Sequence, residues 1–162
     1  MNGQVSDTYL IALGSNMRSA RYGSPREVLG TAIELIALTG VEVAAVSPII
    51  RSRPLGPSQR EYANAAAVVV CALTPAALLG LLQGVENLMG RTRQGQRWRA
   101  RVLDLDIVLW SGGNFATEDL AIPHPEFRNR DFVLGPASRI APDWRDPVTG
   151  LTLRQLAARN RA

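Results

Sequence analysis

Apolar and polar positions along the chain fall into short alternating or continuous apolar runs separated by segments of helical periodicity. TYLIALGSN reads as a short strand closed by a turn. Ser24-Pro25-Arg26-Glu27 then has the form of a capping box with Pro at the first helical position. Behind it Leu29, Ala32, Ile33, Ile36 and Ala37 recur at the spacing of one helical face, and Gly40 supplies the stop. VEVAAVSPIIRSR predicts a second strand broken or bulged near Pro48, and YANAAAVVVCAL a third. Thr74-Pro75 repeats the N-cap signal, and Leu78, Leu81, Leu82, Val85 and Met89 mark the apolar face of a second helix ending at Gly90. VLDLDIVLW is a fourth strand. NFATEDLAIPHPEFRNRDF is mostly loop, while FVLGPASRIA and LTLRQLAARN have the pattern of short helices.

The order β-α-β-β-α-β with a helical tail predicts a ferredoxin-like α+β fold. An antiparallel sheet carries helices on one face, and a short helical tail forms the C-terminus. No linker, repeat or low-complexity segment interrupts the 162 residues, so the chain reads as a single domain over 1–162.

Composition narrows the function classes. Apolar residues make up 46% and charged residues 20%, the balance of a globular domain with a true core. No apolar run spans a bilayer and the N-terminus lacks a basic region followed by an apolar stretch, so a cytoplasmic location without a membrane partner is expected. The single Cys71 sits in an apolar run and reads as core filling. Net charge is +4, and all 18 basic residues are Arg. Five of these crowd into RTRQGQRWRAR, Arg91 to Arg101, with no acid among them. That stretch suits a polyphosphate, because guanidinium forks match phosphate oxygens bidentately. A nucleic-acid face is the rival reading. RNA-binding sheets need exposed aromatics on their strands, and the nine aromatics here form no such pair on the third and fourth strands. Trp110 and Trp144 are assigned to packing.

The fourth strand carries the chemistry. Residues two apart on a strand share a face, about 6.6–7 Å from one another. Asp104 and Asp106 therefore share one face, while Leu103, Leu105, Ile107 and Leu109 line the other. A bare D-x-D also describes a solvated strand. Beside an Arg cluster, two carboxylates suit hard cations and a phosphoryl group, since Mg²⁺ typically takes one or two carboxylates plus substrate phosphates.

Five motifs in order, LIALGSN, RPLGPSQREYANA, VENLMGRTR, RWRARVLDLDIVLW and IPHPEFRNRDFVLGP, resemble those of the 6-hydroxymethyl-7,8-dihydropterin pyrophosphokinase family of folate biosynthesis. The resemblance implies a ferredoxin-like fold, two Mg²⁺ ions with ATP bound, and transfer of pyrophosphate from ATP to the pterin hydroxymethyl group, leaving AMP. It implies Asp104 and Asp106 as metal ligands, and Arg91 and Arg101 as catalytic-loop arginines over the triphosphate. Arg93, Trp98, His124 and Arg130 fall at ATP-binding positions. Tyr62, Asn64 and Phe132 fall at the pterin site, with the rings enclosing the bicycle and the amide reading its edge; Ser52 and Leu55 offer backbone groups. Glu86 matches an acid without an assigned role. ATP and the pterin alcohol are the expected partners, with no nucleic acid, and the expected state is a monomer. Two departures stand out: Arg99-Ala100 replaces a usual small pair before the arginine that leads into LDLD, and MRSARYGSPREVL after GSN is longer and more basic than usual. A non-enzymatic RNA- or anion-binding domain of the same fold, and a pterin-binding module without transfer activity, are the alternatives.

Overall fold

The computed structural model describes residues 5–52, 62–90 and 102–160. Strand β1 (Asp7–Ser15) is followed by helix α1 (Pro25–Leu38), strands β2 (Glu42–Val46), β3 (Ile50–Ser52) and β4 (Tyr62–Cys71), helix α2 (Pro75–Leu88) and strand β5 (Asp104–Trp110). A small hairpin of β6 (Phe115–Ala116) and β7 (Ala121–Ile122) precedes helices α3 (Asp131–Ile140) and α4 (Leu153–Asn160).

Both long helices start as their sequences dictate. The Ser24 hydroxyl accepts from the Glu27 N–H while the Glu27 carboxylate reaches back to the Ser24 N–H, a complete capping box. Thr74 caps α2 in the simpler way, accepting from the Ala77 N–H. Gly40 and Gly90 follow the helices at φ 98° and 121°, conformations that favour glycine. The inward face of α1 is Val28, Leu29, Ala32 and Ile36; Ala37, predicted to share it, is exposed.

The main sheet has the order β2-β4-β1-β5, with β3 also pairing β4, and every pairing is antiparallel. Counting β2 and β3 as one broken strand, this is the ferredoxin-like order. The break falls at Ser47-Pro48-Ile49, where Pro cannot donate to a ladder. Ser47 closes the gap: its N–H donates to the Ala66 carbonyl at 2.9 Å, and its hydroxyl accepts from the Ala66 N–H at 2.8 Å.

The sheet buries both faces, differently. Tyr9, Ile11 and Leu13 of β1, alternate alanines of β4, and Leu105 and Ile107 of β5 pack against α1 and α2. On the other side Leu10, Ala66, Val108 and Leu109 meet Phe127 and the apolar faces of α3 and α4. The helical tail is thus a second layer. It covers only half of its face, and the uncovered half is the site.

Leu109 corrects the alternation expected from sequence. A bulge between Leu10 and Ile11 in the pairing with β5 sets Leu10 opposite Leu109 and Ile11 opposite Ile107, leaving Val108 as the extra residue. Leu103, Leu105 and Ile107 face α1 and α2 as predicted, but Leu109 turns to the α3–α4 side. The Val108 carbonyl at the bulge accepts from the His124 N–H at 3.0 Å. The segment expected to be mostly loop holds the β6–β7 hairpin and a short 3-10 turn, Phe127–Asn129.

Candidate active site

The uncovered half-face is assembled from three neighbouring strands in register. Gly14 of β1 lies opposite Asn64 of β4 on one side and opposite Asp104 of β5 on the other. Ala12 lies between Ala66 and Asp106 in the same way. Small residues on the central strand let the functional side chains flanking them converge across it. A β-carbon at Gly14 would stand 3.2 Å from Asn64 Oδ1, so the amide oxygen rests directly over the glycine.

Above this floor is a cavity of about 650 Å³. Tyr62, Asn64, Asp104 and Asp106 line it from the sheet, and Arg130 and Phe132 from the start of α3. Asn64 is buried, Tyr62 and the two aspartates are half-buried, and Phe132 is exposed. The Arg130 guanidinium lies over the Phe132 ring, 5.6 Å from its centroid. Ser52, at the end of β3, pairs with Tyr62 and so brings its backbone to the same end of the sheet. Apolar walls and a few convergent polar groups are the usual make-up of a small-molecule site.

A second cleft of about 290 Å³ opens on the far side of Asp106. It runs between β5, the β6–β7 hairpin and His124. Asp106 lines both spaces and stands at their junction, while Asp104 lines the large cavity alone. His124 is held there by its backbone bond to Val108, and its Nδ1 accepts from the Glu126 N–H at 3.1 Å. With Nδ1 so engaged, the neutral ring carries its proton on Nε2. Burial holds the His124 pKa below its ordinary value, against the upward pull of Asp106 and Glu126 and with a downward push from Arg130.

Of the site residues predicted from sequence, Tyr62, Asn64, Asp104, Asp106, Arg130 and Phe132 share the large cavity. His124 stands on the smaller cleft rather than beside Arg130 in the large one. Leu55, Arg91, Arg93, Trp98, Arg99-Ala100 and Arg101 lie outside the described residues. Sequence reasoning assigned no role to Gly14 or to Asn16, which lines the cavity rim. The signal for Gly14 was available: a glycine inside a strand pattern marks a place where something approaches the backbone closely. The cleft under the hairpin had no signal, because a two-residue strand leaves no period to read.

Among the described residues no group of three or more His, Cys, Asp or Glu is placed to hold a metal ion. Asp104 and Asp106, on one strand face and both lining the large cavity, form a set of two carboxylate oxygen donors. Such a set fits Mg²⁺, which completes its shell with water and phosphate oxygens, and does not fit a cation needing an all-protein cage. No helix among the described residues is long and apolar enough to cross a membrane.

The structure is a ferredoxin-like domain whose sheet carries two adjoining clefts that share Asp106. The family model for 7,8-dihydro-6-hydroxymethylpterin-pyrophosphokinase (HPPK) matches residues 10–142. The 2-amino-4-hydroxy-6-hydroxymethyldihydropteridine pyrophosphokinase of Haemophilus influenzae is 41% identical over 138 residues, 84% of this chain and 82% of the relative. That of Synechocystis is 40% identical over 127 residues, 78% of this chain and 65% of the relative. The chain belongs to the HPPK family. Its fold is also that seen in the crystal structure of Plasmodium falciparum HPPK-DHPS with pteroate, at a TM-score of 0.73 and 12% identity. That match covers 96% of this chain and 42% of the Plasmodium chain.

Proposed function

We propose that this protein transfers pyrophosphate from ATP to the hydroxymethyl group of 6-hydroxymethyl-7,8-dihydropterin. The products are AMP and the pterin diphosphate, and the step belongs to folate biosynthesis. The observation that carries the reading is the junction: two spaces suited to two substrates meet at Asp106, with Asp104 two residues away on the wall of the larger one. The Haemophilus relative, matched over most of both chains, carries the corresponding name.

In this reading the pterin occupies the large cavity. Tyr62 and Phe132 offer it ring faces, and Asn64, fixed by burial over Gly14, offers an amide to its hydrogen-bonding edge. The nucleotide reaches the junction from the smaller cleft, where neutral His124 presents Nε2–H as a donor to a phosphate oxygen. Arg130 supplies a guanidinium on the other side of the junction. Asp104 and Asp106 would hold Mg²⁺, two ions in the ATP complex, which supplies neutralisation of phosphate charge when bound. The hydroxymethyl oxygen attacks the β-phosphorus in line; the new O–Pβ bond forms as the hydroxyl proton passes to solvent, the bond from Pβ to the oxygen bridging to Pα breaks, and AMP leaves with that oxygen and the bond's electron pair. The described residues present no strong base in the large cavity apart from the aspartates, so positioning and charge stabilisation carry the step. Arg91, Arg93, Trp98 and Arg101 complete the phosphate contacts in the proposal, with Ser52 and Leu55 contributing backbone groups to the pterin. The reading also keeps a single domain, a monomer in the cytoplasm, and no nucleic-acid or membrane partner.

The test is direct. Protein, ATP, Mg²⁺ and the pterin alcohol should yield AMP, and AMP no higher than in a control lacking pterin removes the proposal. Asp104→Ala and Asp106→Ala should each abolish transfer with the fold retained, because both side chains face the cavity and not either core. A variant that unfolds or keeps full activity removes the metal assignment.

A further inference from the structure

One buried charge is left without a task by this scheme. Glu86, in the last turn of α2, is 5% exposed among the core residues Leu82, Val85 and Met89. A buried carboxylate is costly, and an apolar side chain of similar size would serve packing as well or better. Its Oε2 accepts from the Leu105 N–H at 2.9 Å. Leu105 is the residue between Asp104 and Asp106. Among the described residues β5 is the last strand of the main sheet and pairs there with β1 alone, so no sheet strand holds its outer edge at Leu105. The Leu105 N–H and the Asp104 carbonyl belong to one planar peptide unit, so a bond to the first sets the orientation of the second. The side chains of Asp104 and Asp106 leave the backbone on either side of that bond.

We infer that Glu86 is a positioning residue. Its carboxylate clamps the free edge of β5 at Leu105 and so fixes the directions in which Asp104 and Asp106 present their oxygens to a divalent cation. It touches neither substrate nor cation and acts through the strand. The inference rests on the proposed diphosphokinase reading for its purpose, though not for its geometry. Partners that orient metal ligands from behind typically change metal affinity about 10- to 100-fold when removed.

The test compares the wild-type protein with Glu86→Met, which keeps the volume and removes the acceptor, and Glu86→Gln, which keeps an acceptor oxygen. Two readouts are taken: hydrogen exchange of the Leu105 amide in the metal-free protein, and Mn²⁺ affinity by electron paramagnetic resonance in the presence of a non-hydrolysable ATP analogue. Glu86→Met should lose protection at Leu105 and weaken Mn²⁺ binding about tenfold, while Glu86→Gln keeps protection and stays within about threefold of wild type. A Leu105 amide still protected in Glu86→Met overturns the clamp. An unprotected amide with wild-type Mn²⁺ affinity overturns the positioning role, as does a Gln variant as weak as the Met variant. Should Glu86→Met not fold, Glu86→Gln decides alone: retained protection and affinity support the inference, and a tenfold loss of affinity overturns it. AMP formation by the wild type is scored separately. Metal binding without AMP removes the diphosphokinase reading and leaves the clamp standing, whereas a wild type that binds no Mn²⁺ overturns the inference itself.

Discussion

At the scale of single residues, the site depends as much on a missing side chain as on those present. Gly14 lies between Asn64 and Asp104, and a β-carbon there would crowd the Asn64 oxygen at 3.2 Å. Gly14→Ala should push the amide away from the floor and weaken pterin binding about tenfold, equivalent to ~1.4 kcal/mol. A fluorescence titration with the pterin alcohol reads this directly, and unchanged affinity would show that Asn64 does not set the edge contact. Legibility at this scale follows chemical type. Asp104 and Asp106 were readable because polar groups break an apolar strand pattern and period two assigns their face, whereas Tyr62 and Asn64 were reached only through the family resemblance. Phe132 and Arg130 needed the family motif, since helical periodicity alone does not say which end of α3 meets the sheet. Gly14 was overlooked because a glycine adds nothing to a hydrophobic pattern, and its one signal is its place inside a strand.

At the scale of elements, caps and periods gave α1, α2 and the strands nearly to the residue, because each boundary is set by a local hydrogen bond or a Pro. The bulge in β5 was not readable: it changes the face of Leu109 without changing the apolar character of any position. The two burial environments look alike in sequence, since both are leucine-rich. Within α2, Gly80 is exposed and a β-carbon there would meet nothing within 4 Å. Gly80→Ala should therefore stabilise the protein by about 0.5–1 kcal/mol through helix propensity and lost unfolded-state freedom. Urea unfolding should show the midpoint rising with the slope unchanged; a fall would reveal a hidden contact on that face.

At the scale of the whole molecule, the second layer is fastened by one polar knot. Asp146 is fully buried and receives Arg128 in a bidentate pair, Nε at 2.6 Å and Nη2 at 2.8 Å, along with the Thr149 hydroxyl and the Val148 N–H. This ties the turn before α4 to the segment that carries His124 and Arg130. Burial pushes the Asp146 carboxyl up, but the hydrogen bonds and the Arg128 charge outweigh it and hold the pKa at about 2, against an ordinary 3.8. The unfolded chain thus binds the proton more readily. The knot's contribution is full above about pH 4 and is lost as pH falls toward 2, so acid unfolding of the wild type should steepen across that window. Asp146→Ala should cost about 3 kcal/mol at neutral pH, since it strands a mostly buried guanidinium, and should flatten that acid limb. A variant as stable as wild type at neutral pH would show that the layer is held by its apolar contacts alone. The bulge at Val108 separates two roles of one residue. The contact that places His124 is made by the carbonyl there, while the valine side chain belongs to the core. Side-chain scanning at this position will register only a loss of packing. The histidine's address is written in the backbone, and only an edit that alters chain length, such as deleting Val108, will move it.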